Sequence, residues 1–174
     1  MKHLYVSLIV ILFSGTNILF SQVGIGTTTI NSNAILEFGS ENKGIILPWV
    51  ISAAAVLSPS GGTLIFDTTD KKVKYFNSNT NTWIDMSITS GAVDTSIQDN
   101  FAEQSLNSKT IIGGPISTKT GVLILESSDK ALVLPKVDNV TLNFPNPEAG
   151  TMVYDTSRKK IAVYNGLIWT FWGE

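Results

Sequence analysis

The chain has 174 residues, of which 43% are hydrophobic and only 15% are charged, and its formal net charge is −2. No basic stripe runs along it, which argues against nucleic acid as a partner. It has no cysteine, and its single histidine is His3. A mature chain without His3 would have neither a Ser-His-Asp or Cys-His nucleophile nor a His/Cys zinc site.

The N-terminal segment predicts a secretory signal peptide over residues 1–21. Lys2 precedes an apolar run at residues 4–13, and the small Ser21 lies where cleavage is expected. The run is too short and too interrupted to predict a membrane span. We expect a secreted protein with no membrane span after cleavage. The alternative is an uncleaved N-terminal anchor.

The rest of the chain is organised around a block that occurs twice, at residues 62–83 and again at residues 150–169. Both copies begin Gly-Thr, continue through an apolar triplet to Asp-Thr, and then carry a Lys-Lys pair, an Asn and a Trp. Asp67 and Asp155 can accept hydrogen bonds from backbone N–H groups two residues on, which favours a turn at that point. Each block therefore predicts a β-hairpin followed by a third short strand.

The repeat extends upstream of the hairpins. Residues 34–38 correspond to residues 121–125, and residues 43–48 correspond to residues 130–135. Segments 43–48 and 130–135 both end in Leu-Pro. The period of roughly 87 residues predicts a mainly β fold with two tandem copies of a small, hairpin-rich unit and at most short helices. The predicted order is signal peptide 1–21, unit 1 at 22–86, polar linker 87–109 and unit 2 at 110–174.

Two segments are candidates for the short helices. Residues 50–57 are rich in alanine and predict a helix of about two turns. Residues 99–106 predict a second short helix inside the polar linker.

Several motifs resemble a known group of proteins. The opening Val-Gly-Ile-Gly-Thr-Thr-Thr at residues 23–29, the Lys-Gly-x-x-Leu-Pro strand at 43–48 and the hairpin block resemble secreted surface proteins of Bacteroidota, especially flavobacteria. The hairpin block also resembles modules of phage tail fibres and fibrous adhesins, which are often trimeric. The chain departs from the usual pattern at two places. Ile30 replaces the proline that usually follows the threonines, and Ile-Ile-Gly-Gly at 111–114 replaces the opening motif in the second copy. The resemblance implies an adhesive or structural role, outside a Gram-negative bacterium or on its outer surface, and carries no catalytic residues.

The carboxylates predict no further chemistry. Asp67 and Asp70 lie close together, but the second copy has Asp155 and Arg158 at these positions, so no carboxylate pair recurs. No Asp-x-Asp-x-Asp-Gly calcium loop is present. We therefore expect no catalytic residue, no cofactor and no metal site, and we interpret the recurring aspartates as turn formers.

Five aromatic residues at strand ends are the candidate contact residues: Tyr75, Trp83, Tyr164, Trp169 and Trp172. Exposed tyrosine and tryptophan can stack on sugar rings or join a protein interface. The alternative is that Trp83 and Trp169 cap the core of each unit. Trp172 is the strongest candidate for an intersubunit contact.

Two classes of function remain. The first is a non-enzymatic cell-surface protein with a structural or adhesive, fibre-like role, which would associate with itself and whose expected form is a trimer. The second is a carbohydrate-binding module or an accessory subunit of an envelope complex, with a surface glycan or another envelope protein as its partner.

Overall fold

The computed structural model describes residues 22–96, 98 and 108–173. The predicted signal peptide and the helix predicted at residues 99–106 lie outside the described residues, so both stay predictions.

The described residues form fourteen short strands, one single-turn 3₁₀ segment and one short helix. The strands are β1 (Val23–Ile25), β2 (Ala34–Phe38), β3 (Ile45–Ile46), β4 (Trp49–Val50), β5 (Leu64–Asp67), β6 (Lys72–Asn77), β7 (Thr82–Asp85), β8 (Thr110–Ile112), β9 (Leu123–Leu125), β10 (Ala131–Val133), β11 (Lys136–Val137), β12 (Thr151–Asp155), β13 (Lys160–Tyr164) and β14 (Trp169–Trp172). The 3₁₀ segment is Ala53–Ala55, and the helix, α1, is Val140–Asn143. The predicted mainly β fold with short helices is confirmed.

The helix of about two turns predicted at residues 50–57 is wrong. Val50 belongs to β4 and pairs with Asp67 of β5, so the segment begins as a strand. Only the 3₁₀ turn at Ala53–Ala55 remains of the predicted helix. Sheet pairing has overridden the local helix propensity of the alanines, because propensity is a weak preference that tertiary contacts readily exceed.

The two halves of the chain share one strand topology. In the first half, β4 runs parallel to β5, and β5, β6 and β7 form an antiparallel meander. In the second half, β11 to β14 repeat this order and these directions. The parallel pair β1 and β2 likewise recurs as β8 and β9, with Val23 opposite Leu36 and Thr110 opposite Leu123.

Each hairpin turn is held by its aspartate, as the sequence predicts. Asp67 accepts hydrogen bonds from the N–H groups of Thr69 and Asp70 and, with its second oxygen, from the N–H of Ala53. Asp155 accepts from the N–H of Arg158 and likewise from that of Val140. In each hairpin, one carboxylate thus closes the turn and also binds the backbone of a segment that precedes the hairpin in the chain.

The two units exchange strands and share a core. β10 of unit 2 runs parallel to β2 of unit 1, and β3 of unit 1 runs antiparallel to β12 of unit 2. The larger apolar cluster draws on both units and consists of Leu47, Phe66, Val73, Met86, Ala149, Met152 and Val163. A smaller cluster, formed by Val137, Val140, Val153 and Ala162, lies within unit 2.

The first residues of the segment predicted as a linker lie along unit 2. The N–H of Ile88 donates to the hydroxyl of Thr170, and the side chain of Asn165 donates to the carbonyl of Thr89. The N–H of Ala92 then donates to the carbonyl of Asn165 at 3.1 Å. This segment, residues 86–92, is called the strap below; the limits proposed for the two units and the linker stay predictions.

Candidate assembly interface

The predicted aromatic residues make ring contacts at three separate places. Trp83 of β7 lies opposite Phe76 of β6, and the two ring centroids are 5.3 Å apart. Trp169 of β14 lies opposite Tyr164 of β13, with centroids 5.2 Å apart. Both tryptophans are half-buried, and Trp169 also packs against the smaller core cluster.

The third contact joins the two units. The ring of Trp172 meets that of Tyr75 edge-on, with centroids 6.3 Å apart and planes 85° apart. The indole N–H of Trp172 donates to the carbonyl oxygen of Met86 at 2.6 Å. Within one chain, Trp172 therefore connects the last strand of unit 2 to unit 1. A role for the five aromatics in binding a ligand or a partner stays a prediction.

A buried ion pair supports the first hairpin. The ammonium of Lys74 lies 3.1 Å from a carboxylate oxygen of Asp67 and also binds Asp70. Burial lowers the pKa of Lys74, but its bonds to these two carboxylates outweigh that effect and raise it. Burial raises the pKa of Asp67, and the hydrogen bonds from Asp70, Ala53 and Lys74 outweigh it and lower the pKa. Both groups are therefore held in their charged forms.

The second hairpin replaces this pair with a different one. Arg158 donates through Nη1 to Asp155 at 2.9 Å, and its guanidinium lies 4.6 Å from the centre of the Phe171 ring. Burial raises the pKa of Asp155, but bonds from Ser157, Arg158 and Val140 outweigh it and lower the pKa to about 2. The carboxylate is fully occupied by bonds from its own turn and from the start of α1, which is a structural arrangement.

The described residues contain few other candidate sites. In that part of the chain, no group of three or more His, Cys, Asp or Glu side chains could hold a metal ion. Every buried side-chain nitrogen and oxygen that the structure describes has a hydrogen-bond partner. Among the same residues, no helix has the length and apolar character needed to cross a membrane.

An apolar groove of about 770 Å³ lies between the two units. We call it the inter-unit groove. Its walls come from both units, and residues of seven strands line it: β2, β3, β4, β5, β9, β10 and β12. The lining residues used below are Ile45, Ile46, Thr63, Leu64, Leu123 and Leu132. The aromatic pattern in the sequence did not indicate this groove, because it forms only where the two units exchange strands.

Strand edges are open along the groove. β12 has a strand beside both halves of its outer edge, since β11 pairs at Tyr154–Asp155 and β3 pairs at Thr151–Met152. On its outer edge, β5 has β4 beside Phe66–Asp67 only, and within the described residues no strand lies on that edge at Leu64, which pairs with β6 on its other side. Similarly, β2 lies between β1 and β10, whereas the described chain places only β8 beside β9.

Large apolar side chains are exposed at these edges. The exposed fractions are 54% for Ile46, 60% for Val122, 45% for Leu123 and 36% for Leu132. Open strand edges carry unpaired N–H and C=O groups and readily add a further strand. Apolar side chains beside such an edge favour another protein chain over water, because burying them releases free energy in proportion to the area covered.

A repeated β-meander with exchanged strands and open apolar edges defines a β-repeat protein. The chain belongs to the phage tail-like trimerisation region family, which matches it over residues 24–100 and 112–173. The predicted resemblance to tail-fibre β repeats is thereby confirmed. No curated protein and no solved structure matches the chain. The resemblance to Bacteroidota surface proteins stays a prediction.

Proposed function

We propose that this protein is a secreted, non-enzymatic structural protein that associates with itself as a trimer and serves as a fibre-like, adhesive element at the bacterial surface. The observation that carries the proposal is the match of both halves of the chain to a trimerisation region. The fibre-like structural role follows from that family and from the β-repeat fold. Secretion rests on the sequence of residues 1–21, and adhesion and the outer-surface location rest on the resemblance of residues 23–29, of residues 43–48 and of the hairpin blocks to secreted surface proteins.

The surface of the single chain supports self-association. The inter-unit groove and the apolar residues around it lie at strand edges that an additional strand could cover. A short strand pair is only marginally stable alone, and three or more strands with a buried face are more stable. Closing these edges with a second copy would bury Ile46, Leu123 and Leu132 together.

The polar groups support a structural rather than a catalytic role. Asp67 and Asp155, the most deeply buried carboxylates, are each bonded to their own turn and to the segment before it. Their lowered pKa values make them poor proton acceptors at neutral pH. The non-enzymatic role is tested by incubating the purified protein with a glycan panel, where hydrolysis would contradict it.

Sedimentation velocity and light scattering on the full chain test the central part of the proposal. We expect a single species with three times the mass of the chain across a hundredfold range of concentration. A monomer at every concentration would overturn the trimer. Mass spectrometry of the protein recovered from culture medium tests export, for which we expect Gln22 as the first residue and an absent Met1.

A further inference from the structure

Two strand pairings join unit 1 to unit 2 within the chain. Each uses the strand that comes third in the chain order of its unit, which is β3 in unit 1 and β10 in unit 2. β3 of unit 1 lies beside β12, with Ile45 opposite Met152. β10 of unit 2 lies beside β2, with Leu132 opposite Leu36. Each third strand thus has a partner on one side. In the described part of the chain, no strand lies on its other side.

The repeat indicates what the open start of β5 would accept. Leu64 in β5 is the counterpart of Met152 in β12, because each follows the Gly-Thr that opens its hairpin block. Leu132 in β10 is the counterpart of Ile45 in β3, because each lies two residues before the Leu-Pro that ends its segment. The internal pair of Ile45 with Met152 therefore has a counterpart, Leu132 with Leu64, that is absent from the described pairings.

The repeat also indicates which strand the free edge of β9 would accept. Leu123 in β9 is the counterpart of Leu36 in β2, since each lies opposite the first residue of its parallel partner strand. The internal pair of Leu36 with Leu132 therefore has the counterpart Leu123 with Ile45. This second pair is also absent from the pairings of the described chain.

We propose that unit 2 of one copy docks head-to-tail on unit 1 of the next copy through these two missing pairings, and that this contact closes the inter-unit groove. β10 of one copy adds antiparallel to the start of β5 of the next, with Leu132 opposite Leu64. β3 of that next copy adds parallel to β9 of the first, with Ile45 opposite Leu123. This contact rests on the proposed self-association and gives it an interface and a register.

One head-to-tail contact satisfies all four open edges, and every strand keeps its partner inside its own chain. The four edges already line a single groove, which places their apolar side chains together. A contact between two different surfaces generates a closed ring when its rotation permits and an open filament otherwise. A trimer is the ring of three copies.

The glycines that open the two hairpin blocks show which side of each unit is covered. A Cβ atom on Gly150 would lie 2.9 Å from Cβ of Phe66 in unit 1, because the two units are packed together there. A Cβ atom on Gly62 would have no other heavy atom within 4 Å. Unit 1 thus covers Gly150 of unit 2, whereas the equivalent Gly62 of unit 1 is open within the chain. This difference is expected if another copy covers Gly62.

Engineered cysteines test the register without interference, because the chain has none of its own. We would prepare Leu64→Cys and Leu132→Cys as separate full-length chains with tags of different mass, unfold them together, refold them and oxidise them. Non-reducing electrophoresis should show a mixed disulfide between the two chains and little of either homodisulfide. A single chain with Ile45→Cys and Met152→Cys is the matched control, since its pair has the same register within one molecule.

The outcomes separate this contact from the proposed function. The mixed disulfide in a species of trimer mass supports the head-to-tail contact. A trimer that lacks the mixed disulfide, while the control chain oxidises, overturns this contact and leaves the trimer intact. A disulfide between Leu64→Cys and an Ile45→Cys chain would mean that unit 1 packs on unit 1, which also overturns it. A monomer under all conditions overturns both the contact and the proposed function.

Discussion

The indole N–H of Trp172 donates a hydrogen bond of 2.6 Å to the carbonyl oxygen of Met86, which lies 86 residues earlier in the chain. Met86 is the first residue of the strap and is itself buried in the core that both units share. The bond therefore connects the last strand of unit 2 to the end of the unit 1 hairpin. We expected Trp172 to contact another subunit. Within one chain, its indole N–H binds the end of unit 1.

Replacing Trp172 should loosen the strap. Trp172→Ala should lower the free energy of unfolding by about 3 kcal/mol, because it removes a large half-buried ring. Trp172→Phe keeps a ring beside Tyr75 and should cost about 1 kcal/mol for the lost hydrogen bond. Amide hydrogen exchange should become faster at Ile88 and Ala92, whose N–H groups bond to unit 2.

Trp83→Ala is the matched control for this change. Trp83 packs on Phe76 within unit 1, so its removal should destabilise the first hairpin and leave exchange at Ile88 and Ala92 unchanged. Equal exchange in the strap of the Trp172→Ala and wild-type chains would contradict the connecting role of Trp172.

Gly150 and Gly62 offer a comparison between backbone strain alone and strain combined with a clash. Their φ angles are +81° and +84°, so alanine at either position carries a similar conformational cost of about 1–2 kcal/mol. The new methyl group at Gly150 would also meet Phe66, and such overpacking costs roughly 1–3 kcal/mol more. Chemical denaturation of the unassembled, monomeric chain should show that Gly150→Ala is the more destabilising variant, and equal losses in that form would contradict the close packing of the two units.

Asp155 should make part of the stability depend on acid pH. Its pKa falls from 3.8 to about 2 on folding, so the folded state favours the charged form by about 2 kcal/mol. This contribution is fully present above about pH 5 and is lost as the pH falls towards 2. Asp155→Asn should be less stable at pH 7 and should show a shallower loss of stability between pH 5 and pH 2.

Asp129→Asn on an exposed turn is the control for this measurement and should leave the pH dependence unchanged. Thermal melting at a fixed protein concentration is the appropriate readout, because association itself raises the melting temperature. An unaltered acid profile in Asp155→Asn would contradict the role assigned to the turn carboxylate.

The hairpins could be predicted because their signals are local. The Asp-Thr turns and the apolar triplets before them act over a few residues, and the structure realises each of them as a turn or a strand. The repetition of these signals was enough to predict two units with one strand order. The helix predicted at residues 50–57 was wrong, because the pairing of Val50 with β5 is not visible in the composition of that segment.

The exchange between units could not be predicted in this way. Nothing in residues 45–46 distinguishes a strand that pairs within its own unit from one that pairs with Thr151 and Met152. Such a choice depends on which edges meet after both units have folded, and therefore on contacts about a hundred residues apart. The inter-unit groove lies at those edges, so it was missed for the same reason.

The apolar edge of β9 should control assembly. Leu123 is 45% exposed beside the groove, and a lysine there would place a charge where another copy is proposed to dock. Charged residues on strand edges oppose the addition of further strands, because docking would remove the charge from water. Leu123→Lys should therefore favour the monomer over the trimer. The concentration at which half of the chain is assembled should rise at least tenfold.

Leu142→Lys is the matched control, because Leu142 is 72% exposed on α1 and does not line the groove. Analytical ultracentrifugation of the two variants at the same concentrations should show loss of the trimer in Leu123→Lys only. Circular dichroism should show the same β content in both, since Leu123 is an exposed residue and its backbone pairing with β8 is kept. Unchanged assembly in Leu123→Lys would remove the β9 edge from the interface, whereas loss of the trimer in both variants would indicate a general effect of added charge.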